Sequence, residues 1–186
     1  MQGGPHDHTT AGIAVALMEA SKPEFREYAQ QVVKNAKALA EGLKKRGITL
    51  VTGGTDNHIV LMDLTPFGKG KGVFVQDALD VVGITVNKNT IPNEPSSPFY
   101  PSGIRLGTPA LTTRGMKEAE MGAIAGFITD VVDEVKANEL PSDKVERAAY
   151  LKVFKSEIAS NPRLLKIRDG VLELCGRFPL YPEITA

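Results

Sequence analysis

The chain has 186 residues, 42% hydrophobic and 24% charged, a balance that suits a water-soluble globular protein of one large or two small domains and argues against disorder. Lys+Arg and Asp+Glu both number 22, so no basic excess is available to neutralise a nucleic-acid backbone, and no Lys/Arg cluster marks such a face. No apolar run approaches the roughly 20 residues of a membrane span, and the start lacks a signal-peptide pattern. The single cysteine, Cys175, excludes an intrachain disulfide, fits a reducing compartment and reads as a small core residue beside Leu172 and Leu174. A cytoplasmic protein is expected.

Met1-Gln2-Gly3-Gly4-Pro5-His6 reads as a tight loop rather than a frayed terminus, which suggests that the sequence starts inside a larger protein. Residues 10–20 are apolar on nearly every face and predict a helix that needs a larger body to cover it. Ser21-Lys22-Pro23-Glu24 has the form of a capping box with Ser21 as N-cap. A long helix follows, with Phe25, Tyr28, Val32, Ala36, Leu39 and Leu43 at three- and four-residue intervals and Gly47 as its left-handed stop. Residues 48–51 and 59–64 predict an antiparallel strand pair joined by a glycine-bearing turn. After the run from Gly68 to Gly72, a short helix with Val75, Ala78, Leu79 and Val82 on one face ends at Gly83, and residues 84–86 begin a strand.

The stretch from Thr85 to Ala110 is the most informative part of the chain. Proline and glycine recur too often for a helix or central strand, yet Arg105 sits between Ile104 and Leu106 in a short run that reads as a strand. A polar loop feeding a half-buried arginine suits a small-anion site, because a guanidinium offers two parallel N–H donors to a carboxylate. A structural salt bridge is the competing account of Arg105. Beyond it, a long helix is expected from Leu111, with Glu118 and Glu120 near its positive end, then a break at 138–143, helices at 144–159 and 162–176, and a proline-bearing tail. The whole is an α+β module, a small antiparallel sheet covered by helices.

Other constellations have plain structural accounts. Gly3-Gly4 ahead of a helix either presents backbone N–H groups to a phosphate or simply turns the chain. His6 and His8 share a face if extended, but no third ligand is near, so no metal is expected. Asp56-Asn57-His58 reads as an Asx turn at the head of a strand in preference to a general-base cluster. Asn87 and Asn89 suit either turn formation or amide recognition of a flat heterocycle. No Ser-His-Asp, Cys-His or P-loop signature is present.

Five motifs, taken in order, carry a resemblance. Gln2-Gly3-Gly4-Pro5-His6, Gly53-Gly54-Thr55-Asp56-Asn57-His58, Ile84-Thr85-Val86-Asn87-Lys88-Asn89, Pro92-Asn93-Glu94 and the run from Ser102 to Gly115 resemble the C-terminal part of serine hydroxymethyltransferase, also called glycine hydroxymethyltransferase. The resemblance implies the C-terminal domain of an aspartate-aminotransferase-like (fold type I) pyridoxal-phosphate enzyme. Such an enzyme moves the serine hydroxymethyl carbon to tetrahydrofolate and leaves glycine, and it works as a homo-oligomer, dimer or tetramer. By position, it implies that Arg105 grips the amino acid carboxylate and that Asn89, Ser97, Pro98 and Phe99 contact the folate. Gly3 and Gly4 would reach the cofactor phosphate of a neighbouring subunit. It further implies that residues 1–22 belong to the large cofactor-binding domain and residues 23–186 to the small domain with its linking helix. The family's cofactor lysine lies upstream of the Gly-Gly loop, and no matching segment occurs here, so this chain alone is expected to be inactive. The other classes left open are a non-catalytic binding module and the small domain of a different fold-type-I pyridoxal-phosphate enzyme, for which the folate segment would have no use.

Overall fold

The computed structural model describes residues 4–180. Helix α1 (Asp7–Ala20) forms where the apolar run predicts it, and every residue in it is exposed. Helix α2 (Pro23–Lys45) begins one residue later than the expected capping box. Its N-cap is Lys22 in an extended conformation, with Pro23 in the first turn, whereas the Ser21 hydroxyl donates to the Met18 carbonyl and closes α1 instead. The cause is local: a residue before proline is held extended, which makes Lys22 the last non-helical position.

The far end of α2 follows the expectation. Gly47 sits at φ +84, its N–H meets the Lys44 carbonyl and that of Ile48 meets Leu43, the two bonds of a Schellman cap with Ile48 and Leu43 both buried. The same device ends α3 (Gly72–Val81) at Gly83 and α4 (Pro109–Thr113) at Gly115. These caps account for two departures from the sequence reading. The Ile84 N–H is spent on the Leu79 carbonyl, so the strand expected from residue 84 begins at Asn87. Gly115, at φ +87, splits the single helix expected from Leu111 into α4 and α5 (Glu118–Val135).

Strands β1 (Thr49–Leu50), β2 (Ile59–Asp63), β3 (Asn87–Asn89) and β4 (Gly103–Gly107) form one sheet in the order β1-β2-β4-β3, every neighbouring pair antiparallel. Helix α3 carries the chain to the far edge, and the loop of residues 90–102 brings β4 back between β2 and β3. One face of the sheet meets α2 and α3 through Leu50, Val60, Met62 and Ile104, which are at most 6% exposed, and α5 packs against those two helices. Helices α6 (Lys144–Ala159) and α7 (Pro162–Gly176) have the bounds expected from sequence, and the side chains of Asp143 and Asn161 cap them. They add Phe154, Ile158, Leu164 and Leu174 to the core, and Cys175 is half-buried against its rim.

Candidate substrate-binding face

Strand register sets the site. Arg105 lies opposite Leu61 on one side and Asn87 on the other, and Gly103, two residues back, lies opposite Asn89 and Asp63. Side chains directly opposite one another share a face, so Arg105, Asn87, Asn89, Leu61 and Ile59 stand on the side of the sheet that no helix among the described residues covers. Arg105 is accordingly exposed rather than half-buried as its apolar neighbours suggested, and no ion pair among the described residues includes it. Ile104 and Leu106 are apolar because they point the other way, into the core. A guanidinium left free on an open face meets no desolvation penalty and keeps both arms of its fork available to a carboxylate.

Both ends of β4 are held. At its end, the carbonyl of His58 accepts from the Thr108 N–H (3.3 Å), and the Thr108 hydroxyl, fully buried, donates to the Val32 carbonyl (2.8 Å). The Asn57 carboxamide accepts from the Ile59 N–H (2.7 Å), so Asp56-Asn57-His58 is the Asx turn expected and not a base cluster. Buried Asn35 on α2 donates to the Thr112 hydroxyl and the Met116 carbonyl, both at 2.9 Å, which ties α4 to the core. Asn35 carried no signal in the sequence beyond an amide interrupting an apolar stripe. At the start of β4, Gly103 is so closely packed that a Cβ would lie 2.6 Å from Ile91 and 2.7 Å from the Asn89 carbonyl.

The loop over this edge presents Ser97, Pro98 and Phe99 at an exposed tip, Phe99 at 78%. Its carbonyls are bound from behind, by Lys88 Nζ to Phe99 (3.0 Å) and by the Gly72 N–H to Pro101 (2.9 Å). The Asn89 side chain lies half-buried and donates to the Thr90 carbonyl (2.7 Å), so its amide oxygen and its second N–H are left for a ligand. Glu94, part of the Pro92-Asn93-Glu94 motif, has a place that the sequence does not reveal: its carboxylate collects hydrogen bonds from Ile91, Ser96 and Ser102. Burial, the largest single influence, raises its pKa, but the bonds from Ser102, Ile91 and Ser96 together outweigh it and the net shift is downward. Behind the loop lies a cleft of about 480 Å³ whose lining includes Lys69, Lys71, Glu139 and Arg147. There Lys71 donates to the Asn138 carbonyl, and burial lowers its pKa against the opposing pull of Glu139.

Of the glycine pair, Gly3 lies outside the described residues. Gly4 is exposed at the foot of α1 with nothing within 4 Å of where a Cβ would stand, well apart in sequence from the sheet face. His6 and His8 stack edge to face at 5.7 Å, and no group of three metal-ligating side chains occurs among the described residues. No helix among them is long and apolar enough to cross a membrane.

The profile of the serine hydroxymethyltransferase family matches residues 1–128, a span that includes every strand of the sheet and the loop above it. The chain belongs to the serine hydroxymethyltransferase family. It is 46% identical over 185 residues to the serine hydroxymethyltransferase of Methanospirillum hungatei, covering 100% of this chain and 39% of that protein. It is 59% identical over 135 residues to that of Acidothermus cellulolyticus, 73% of this chain and 31% of the relative. For the Alkalilimnicola ehrlichii protein the figures are 44% over 182 residues, 98% and 38%. The chain thus spans roughly two fifths or less of the length of these relatives. Its α+β fold is that of the C-terminal domain of fold-type-I enzymes, the class and region expected from the sequence.

Proposed function

We propose that this chain is the C-terminal part of a serine hydroxymethyltransferase that interconverts serine and glycine and passes a one-carbon unit to tetrahydrofolate. The observation that carries the reading is the free Arg105 guanidinium on the uncovered sheet face, in register with Asn87 and one pair along from Asn89. In this reading Arg105 binds the α-carboxylate of serine or glycine through paired charge-assisted bonds and orients the amino acid. Asn89, through its free amide oxygen, and Ser97, Pro98 and Phe99, by hydrogen bonding and stacking, hold the folate.

The family works with pyridoxal 5'-phosphate and tetrahydrofolate. Pyridoxal phosphate, when bound, supplies the electron sink for the chemistry at the amino acid α-carbon. What this chain would offer it is the Gly3-Gly4 backbone: nothing lies within 4 Å of where a Gly4 Cβ would stand, which leaves room for a phosphate. The groups that hold the ring belong to the region upstream, with residues 1–22 as its last piece and residues 23–186 as the small domain. The exposed apolar surface of α1, including Ile13 and Leu17, then faces the large domain, while α2 carries the small-domain core. A phosphate contact made across a subunit boundary makes the site a property of the homo-oligomer, and the cytoplasm is its expected location.

The reading is tested by Arg105→Ala in the complete enzyme. Glycine binding, followed through the visible spectrum of the bound cofactor, is expected to weaken by at least about thirtyfold, the lower end for truncating one partner of a close charged pair. A variant that saturates like the wild type refutes the assignment. The 186-residue chain by itself is expected to show no folate-dependent conversion of serine to glycine, and turnover by the isolated chain would overturn the fragment reading.

A further inference from the structure

The loop above the sheet is fastened in two ways. Its rear half, from Phe99 to Ser102, is bound through its own backbone carbonyls by Lys88 Nζ and by the N–H groups of Gly72 and Leu64. Its front half has no such attachment. Pro92, Pro95 and Pro98 have no N–H to give, and Asn93 turns the chain in the left-handed region at φ +56. Among the described residues, the hydrogen bonds that fasten residues 92–96 all converge on one side chain. Glu94 Oε2 accepts from the Ile91 N–H (3.3 Å) and the Ser102 N–H (2.9 Å), and Oε1 accepts from the Ser96 N–H (3.0 Å) and the Ser102 hydroxyl (2.6 Å). The Ser102 oxygen, fully buried, in turn accepts from the Gly70 N–H (2.8 Å).

We propose that Glu94 is a positioning residue for folate: its carboxylate, through Ser96 and Ser102, pins the front of the loop to the root of β4 and so holds the Ser97–Phe99 tip in place. This deepens the functional reading above and rests on it. All four partners of the carboxylate are donors, so only a group that accepts at both oxygens satisfies them. A glutamine of the same shape presents one acceptor and one NH₂ group, and the NH₂ faces donors. Arg105 is reached from Ser102 along β4, whose position is fixed by five backbone register pairs with β2 and three with β3. Loss of the Glu94 clasp therefore loosens the tip and leaves the arginine in place.

The test is steady-state kinetics of the complete enzyme with Glu94→Gln. The KM for tetrahydrofolate is expected to rise about tenfold, the equivalent of roughly one or two hydrogen bonds, while the KM for serine stays within about twofold. Glu94→Asp keeps both acceptor oxygens on a shorter arm and should fall between wild type and Gln, which keeps the idea testable if the Gln variant fails to fold. Amide exchange at Ser96 should quicken in the Gln variant while exchange in β4 is unchanged. Equal increases in both KM values would make Glu94 a general structural residue and overturn the proposal. An Asn89→Ala control separates the possible failures. A folate KM moved by Asn89→Ala but not by Glu94→Gln overturns the positioning role alone, and a folate KM moved by neither overturns the folate reading together with it.

Discussion

The two faces of one four-stranded sheet have opposite chemistry, and the alternation along β4 shows how. Ile104 is fully buried beneath helices, and Arg105, the next residue, is exposed on the other side. The buried face carries the fold and is intolerant of change; the open face carries groups that the fold does not use. A free arginine and two asparagines cost nothing in stability where water reaches them, so that face is available to a ligand.

The sharpest way to break this comparison is to truncate the two neighbours in turn. Ile104→Ala should lower unfolding free energy by about 2–5 kcal/mol, the range for a fully buried side chain, whereas Arg105→Ala should change it by less than about 0.5 kcal/mol. Denaturant melts of the two variants check this, and a large loss for Arg105→Ala would mean that the open face is structural. Gly103→Ala comes next. Its Cβ would press on the Asn89 carbonyl and Ile91, so a loss of about 1–3 kcal/mol is expected, together with displacement of Asn89 from the face. Asn35→Ala removes the amide that ties α4 to α2 and leaves Thr112 and Met116 without their donor, for a loss of about 1–3 kcal/mol in a thermal melt. Unchanged stability there would show that apolar packing alone holds α4.

The smallest effect is set by pH. The Glu94 pKa lies below its ordinary 4.5 in the folded chain, so its clasp contributes fully above that value and is lost as pH falls through the depressed one. Its partners are uncharged N–H and O–H groups, so the step belongs to this carboxylate. Amide exchange of the 91–102 loop, measured relative to β4, should quicken below about pH 4.5 in the wild type and show no such step in Glu94→Gln.

Much of this architecture was legible because its causes are local. Asp143 and Asn161 cap the helices that follow them, glycines at positive φ stop α2 and α3, and the bounds of α6 and α7 follow from those signals alone. The errors arose where two local signals competed. Ser21 reads as an N-cap until Pro23 forces Lys22 into that role, and the Ile84 N–H is taken by the cap of α3 before a strand can use it. Asn35 and the role of Glu94 are hidden for a different reason: an amide in an apolar stripe is ordinary in sequence, and the Pro92-Asn93-Glu94 motif does not show which groups its carboxylate binds.

The family, the α+β class, most helix ends and the candidate residues Arg105, Asn89 and Ser97–Phe99 can be read from the chain alone, because motifs, caps and hydrophobic periods act within a few positions of the chain. Only the tertiary structure decided that Arg105 is exposed, that it shares a face with Asn87 and Asn89, and that Glu94 fastens the loop above them. Those are matters of strand order and register between segments up to 48 residues apart, as in the paired Ile59 and Gly107, and they depend on which face of the sheet the helices cover.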